Sequence, residues 1–340
     1  MGSSSLRLKW LDIAKGIGIY CVILGHLVTY GSPISRWIFS FHMPLFFYLS
    51  GVNFRYSENY ISALKKIAQN LILPYFIIII VSVLISLLHY PWMHISLLTT
   101  LKEIFYSVQP ESLHVGQIWF LFALAVVQFF FIIIKKINNK KVEYFLLILF
   151  PLIALLFEYL KQIYHIHRPP FKLDTASMAL MFFYLGVITM ENNYIERFIF
   201  KNKFRIALLF IALILNIIFG VILNSTINMC NNNYQNPFFF FIASITGILT
   251  ILLITSLIKE NKIVEFYGRY SMPIFSFHSF FLFLYANIIS IIFSIQYTIM
   301  YNIPTYLCFV GFLFVSIFSA PLPILYSKSI GSIINYFKSI

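Results

Sequence analysis

The sequence is short of charge. Only 10% of its 340 residues are Asp, Glu, Lys or Arg, where a soluble domain carries roughly a quarter. A chain of this length with so few charges cannot cover itself with a water-facing surface. Acidic residues are the scarcest: 11 stand against 24 Lys and Arg, for a net charge of +13. Cysteine is nearly missing too. Cys21, Cys230 and Cys308 are an odd set at spacings that suit neither a metal site nor a disulfide framework, and Cys21 and Cys308 sit in apolar runs as small hydrophobes. Also lacking is the alternation of apolar and polar residues over segments of about 10 that marks a membrane barrel.

What is abundant is apolar. Hydrophobic residues make up 60% of the chain, and the mean hydropathy is +0.87. The apolar runs are continuous, as in Ile72–Leu88 and Ile206–Leu223, and runs of about 20 residues match a hydrocarbon core about 30 Å thick. Helices satisfy their own backbone hydrogen bonds there. The expected fold is therefore an all-α, polytopic membrane bundle of about ten helices. They are predicted at 10–30, 36–54, 70–91, 118–134, 142–162, 174–190, 204–224, 238–258, 270–294 and 304–327. The second holds Pro44 and Gly51 and is expected to be broken or re-entrant. Segment 92–117 is polar enough to lie at the interface.

The basic residues fall in alternate loops. Arg7 and Lys9 precede the first helix, and Arg55, Lys65 and Lys66 follow the second. Lys135, Lys136, Lys140 and Lys141 follow the fourth, Arg197, Lys201, Lys203 and Arg205 the sixth, and Lys259, Lys262 and Arg269 the eighth. Lys328 and Lys338 follow the last. The intervening loops are poorer, and 225–237 and 295–303 have no Lys or Arg at all. By the positive-inside rule both termini are cytoplasmic. The positive charge is thus a topology signal, and nucleic acid is not an expected partner; membrane lipid is. Asp12, Lys15 and His26 interrupt the first apolar run, so it reads as a retained helix and not a signal peptide. No second soluble domain is visible, and residues 1–340 read as one membrane domain.

Ionisable residues inside a membrane helix cost at least about 2.5–3.5 kcal/mol each near its centre, so they are functional candidates. The first helix has Asp12, Lys15 and His26. Lys15 and His26 are eleven residues apart, within about 20° of three full turns, so they share a face about 16 Å apart along the axis. Asp12 is one turn from Lys15 and can pair with it. Gly16, Gly18 and Gly25 permit close approach of a neighbour. Taken alone, Asp12 and Lys15 also suit interfacial anchors. His26 has no charged loop nearby to escape to. His42, at the start of the second helix, can face the same cavity or simply sit at the interface. His278, in the ninth helix, reads as a packing residue, Glu158 as an interface residue and Trp119 as belt or packing. No metal site is expected.

The run Trp10-Leu11-Asp12-Ile13-Ala14-Lys15-Gly16-Ile17, ending at Gly25-His26, resembles the opening motif of the membrane acyltransferase family 3. That family includes bacterial O-acetylases of surface polysaccharides and fucose 4-O-acetylase-like proteins. Phe41-His42-Met43-Pro44-Leu45-Phe46-Phe47 and Leu49-Ser50-Gly51 resemble its second motif. Trp119-Phe120-Leu121, the stretch from Leu173-Asp174-Thr175 to Gly186, and that from Phe266-Tyr267-Gly268 to His278 resemble later segments. In the family a basic residue and a histidine with this separation are associated with activity, and Lys15 and His26 match them, although many members have Arg at the first position. The resemblance implies an O-acyltransferase of the bacterial inner membrane, moving acetyl from acetyl-CoA to a hydroxyl of a glycan or lipid-linked sugar. His26 would be the general base, with Lys15, Asp12 and His42 beside it in the catalytic set. Lys15, Arg55, Lys65 and Lys66 would attract the anionic groups of CoA. The competing reading is a transporter or flippase of a polar metabolite or lipid-linked sugar, for which intramembrane charge is equally expected.

Overall fold

A computed structural model describes residues 8–89, 96–113, 115–258 and 260–328. Arg7, Lys259 and Lys338, counted above as topology signals, lie outside the described residues, as does the end of the helix expected at 70–91. The chain forms α1 (Lys9–Leu27), α2 (Pro33–Phe39), α3 (His42–Val52), α4 (Tyr60–Ile67), α5 (Leu73–His89), α6 (Leu97–Lys102), α7 (Trp119–Lys136), α8 (Lys140–Tyr164), α9 (Leu173–Glu191) and α10 (Arg205–Ile217). It continues through α11 (Pro237–Leu257), α12 (Lys262–Arg269), α13 (Ser271–Phe293), α14 (Thr305–Ser319) and α15 (Leu322–Lys328). The fold is the expected all-α polytopic membrane bundle. Among the described residues nine helical stretches are long and apolar enough to cross a membrane.

The second expected span is the exception. It is two short helices, α2 and α3, bent apart at Ser40–Phe41, where Phe41 has φ −140°. Pro33 opens α2 and Pro44 stands in the first turn of α3, positions where a missing N–H leaves no bond unmade. So Pro44 starts a helix; it does not kink one. With 11 residues, α3 is only about 16 Å long. It lies in the heart of the bundle, with every residue but Ser50 buried.

Two other boundaries differ from expectation. A wide π-turn over residues 68–72 joins α4 to α5, so that span begins at Tyr60. The last predicted helix breaks between α14 and α15 at Pro321, which has no N–H to continue it. Segment 92–117 carries α6 and exposes Leu97, Leu98, Leu101, Phe105 and Tyr106, an apolar face suited to an interface. The Tyr75 hydroxyl donates to the Ile104 carbonyl at 2.8 Å and ties the segment to α5.

The interior is built on close backbone contact. A Cβ on Gly268 would overlap the Asp12 carbonyl oxygen, and one on Gly16 would overlap that of Val264. These contacts lock α12, a helix the sequence did not suggest, along the first half of α1. Such contacts drive helix association where lipid offers no hydrophobic gain. The periphery is different: α8 shows Phe145, Ile148, Leu152, Leu156 and Tyr159 outward, a stripe at helical spacing that belongs against lipid.

The loops alternate between two ends. At the α1 N-terminal end Lys9 pairs with Glu260 at 2.8 Å and Trp10 packs on Phe200. At the opposite end the Tyr30 amide donates to the Met300 carbonyl at 2.7 Å, and the Tyr106 hydroxyl to that of Arg168 at 2.8 Å.

Candidate active site

His26 sits in the last turn of α1, half-buried, on the wall of a cavity of about 250 Å³ at the α1 C-terminal end. His42 lines the same cavity from the first position of α3. Phe39, at the end of α2, stands edge-on to both rings, 5.9 Å from His26 and 4.9 Å from His42 between centroids. The bend that separates α2 from α3 is what brings His42 round to this wall. Its Nδ1 lies 2.9 Å from the Ile38 carbonyl oxygen. A carbonyl only accepts, so Nδ1 carries the hydrogen and Nε2 keeps its lone pair in the neutral ring.

In sequence His278 reads as a packing residue more than a chemical one. The structure places it against the site: its ring centroid is 5.4 Å from that of His26. A third imidazole therefore joins the two that the first two motifs supply. Among the described residues no group of three or more His, Cys, Asp or Glu is arranged to hold a metal ion.

The opposite wall comes from residues the sequence reading left unassigned. Gln109, Gln117, Asn228 and Cys230 line the cavity together with Trp119. The loop after α10 is pinned in place by a buried polar cluster. Arg168 grips Asp174 through two parallel bonds, Nε to Oδ2 at 2.7 Å and Nη2 to Oδ1 at 2.9 Å. The same guanidinium reaches Thr175 Oγ1 at 2.9 Å and the Cys230 carbonyl at 2.8 Å. Lys172 donates to that carbonyl at 3.0 Å and to Gln109 Oε1. Phe171 and Lys172 hold φ of +61° and +55°. Left-handed backbone at two successive non-glycine residues is costly, and here it turns the Lys172 side chain inward. Burial pushes the Cys230 thiol up from its ordinary pKa, against the pull of Lys172 and Arg168. Glu158 is no interface residue: it is buried, and its carboxylate accepts the Tyr234 backbone N–H at 2.9 Å, another tie on the same loop.

Two features could have flagged this cluster. Arg168 and Asp174 lie within six residues in a chain with only 11 acids, and Gln117 stands two residues before Trp119 at the start of α7. The loop charges were instead counted for topology.

The remaining predicted residues lie elsewhere. Asp12 is buried and Lys15 half-buried in the half of α1 packed by α12. Arg55 lines a separate cavity of about 240 Å³ with Gly51, Tyr56 and Glu191. Lys65 and Lys66 stand exposed in the last turn of α4. The structure thus groups His26, His42 and His278 at one end and leaves the basic residues toward the other.

The fold is a many-span helical membrane bundle with a histidine-lined cavity at one end. The Acyl_transf_3 family model, an acyltransferase domain, matches residues 8–325, nearly the whole chain, and the protein belongs to that family of membrane acyltransferases. Neither curated proteins nor solved structures yield a match.

Proposed function

We propose that the chain transfers acetyl from cytoplasmic acetyl-CoA to a hydroxyl of a surface or lipid-linked glycan at the bacterial inner membrane, with His26 as general base. The observation that carries the proposal is the cavity shared by His26 and His42 at the end of α1 opposite Lys9, Arg55 and the other basic loops. Under the positive-inside rule that cavity faces the outside, where an exported glycan waits. The basic end faces the compartment in which acetyl-CoA is made.

In the reaction the acceptor hydroxyl gives its proton to the neutral imidazole of His26 as its oxygen attacks the thioester carbon. The tetrahedral intermediate collapses, the C–S bond breaks, and the proton passes to the departing CoA sulfur. A neutral histidine is suited to this near pH 7. His42, with its hydrogen fixed on Nδ1 toward Ile38, offers the Nε2 lone pair to a neighbouring hydroxyl of the sugar. Lys15 and the basic loops draw the anionic end of the donor, and the acetyl-bearing arm lies along α1. Asn228, Gln109 and Gln117 supply the neutral donors and acceptors that sugar hydroxyls pair with.

The test is His26→Ala. Cells carrying it should lose the acetyl-sized mass on their surface glycans, and the purified variant should fold but release CoA at a rate lower by about 10²–10⁴. Near-normal turnover would remove His26 from catalysis. Substrate movement with no CoA released from acetyl-CoA by the wild-type protein would favour the transporter reading. Lys15→Ala should weaken acetyl-CoA binding; unchanged affinity removes Lys15 from the donor site.

A further inference from the structure

We infer that His278 is a positioning residue that fixes the tautomer of His26. It is fully buried, at 0% exposure, about two turns into α13. Its Nδ1 lies 2.7 Å from the Phe275 carbonyl oxygen. The carbonyl can only accept, so Nδ1 is the protonated nitrogen and Nε2 bears a lone pair. That Nε2 is sealed from solvent and has no hydrogen-bond partner at all. A buried acceptor left unsatisfied is uncommon and calls for an explanation. The neighbouring imidazole supplies one: the centroids of His26 and His278 are 5.4 Å apart, with the rings tilted by 39°. Two imidazoles joined by an N–H···N bond of about 2.9 Å have centroids about 5 Å apart once a ring radius is added at each end. A small rotation of His26 closes the bond.

Closing it has one chemical consequence. The His26 nitrogen facing His278 must carry the hydrogen, because His278 Nε2 has none to give. The other His26 nitrogen, on the cavity side, then holds the lone pair. A base oriented by a third group is the recurring pattern of hydroxyl activation, and here the third group is a neutral imidazole anchored to a helix carbonyl. Gln117 steadies the same turn of α13, its side-chain amide donating to the Ser276 carbonyl at 2.8 Å. The catalytic meaning rests on the acyl-transfer reading above, but the tautomer assignment does not.

The experiment uses full-length protein in lipid nanodiscs with histidine rings labelled with ¹⁵N, and His26→Gln to assign the His26 signals. Wild-type His26 should show a single neutral tautomer. In His278→Leu it should become a mixture of two. His278→Gln, whose amide oxygen accepts near the Nε2 position, should restore one. A mixed tautomer in the wild type, or an unchanged single tautomer in His278→Leu, overturns the inference. If the leucine variant does not fold, the wild-type and glutamine spectra still decide it. Surface-glycan acetylation is read separately: His278→Leu should lower it about tenfold or more and His278→Gln should recover part of it. If the tautomers behave as described and acetylation is absent in every form, wild type included, the positioning role stands and the reaction assignment falls.

Discussion

The two halves of α1 carry similar warning signs in sequence and are packed in opposite ways. The N-terminal half has Asp12, Lys15 and Gly16; the C-terminal half has Gly25 and His26. In the first half the backbone of α12 lies directly on α1, and its neighbours leave a methyl group no room. In the second half α1 faces side chains and a cavity. Ionisable residues in a membrane helix are equally costly on both sides of that divide. Among the described cavities, the one lined by an ionisable residue of α1, His26, lies in the second half. A polar residue in a bilayer thus marks a candidate, and the surrounding volume decides what it can do.

The contrast is broken most severely by adding one methyl group. On Gly16 a Cβ would overlap the Val264 carbonyl oxygen, and on Gly268 that of Asp12. Backbone cannot step aside as a side chain can, so Gly16→Ala and Gly268→Ala should each cost about 3 kcal/mol or more. The expected readout is loss of monodisperse protein on extraction. On Gly25 the same methyl meets the Ile38 Cγ2 methyl at 3.0 Å and the edge of the Phe39 ring at 3.4 Å, side-chain atoms that can give way by a few tenths of an ångström. Gly25→Ala should cost less than about 1 kcal/mol and show instead as altered activity, because Phe39 touches both His26 and His42. Equal melting temperatures for the Gly16 and Gly25 variants would erase the distinction.

Next in size is Arg168. Its removal leaves Asp174, 1% exposed, without its direct ion-pair partner and with only the more distant charge of Lys172 nearby. Stranding a buried charge costs about 3–5 kcal/mol. Arg168→Ala should therefore lower the thermal midpoint and open the 225–236 loop to protease. Arg168→Lys should recover only part of this, since one ammonium cannot make the fork to Asp174 and also reach Thr175 and Cys230. Full rescue by lysine would reduce the cluster to a simple charge pair.

Hydropathy located most of the long spans to within a few residues because a lipid-facing helix writes its length in one kind of residue; the span expected from 70 begins instead at Tyr60. Hydropathy failed at α12, which is short, polar and held by two glycine contacts made far away in sequence. The break expected in the second span is there, but the chain turns three residues before Pro44. His26 and His42 were legible because each sits in a local motif. His278 closes a weaker motif and reads as packing, since its partner is 252 positions away and meets it only through the fold. Arg168 and Lys172 were hidden for another reason: a loop charge that orders a cavity wall and one that obeys a topology rule look the same in sequence.

The smallest effect expected lies at the far end of α1 from the cavity. Lys9 and Glu260 form a 2.8 Å pair, each about two-thirds exposed. The hydrogen bond and charge of Lys9 lower the Glu260 carboxyl pKa. A carboxyl whose folded pKa is depressed adds stability above its unfolded pKa, about 4.3 for Glu, and loses it as the pH falls through the folded value. The sign therefore favours the pair at neutral pH. Solvent screens an exposed pair, and many contribute nothing measurable. Glu260→Gln should leave the melting temperature at pH 7 unchanged within error, and should leave the difference between pH 7 and pH 4 unchanged as well. A clear drop at pH 7 that added salt removes would mean that the α1–α12 end is held by charge as well as by its glycine contacts. The packing contrast between the two halves of α1 would then need an electrostatic component.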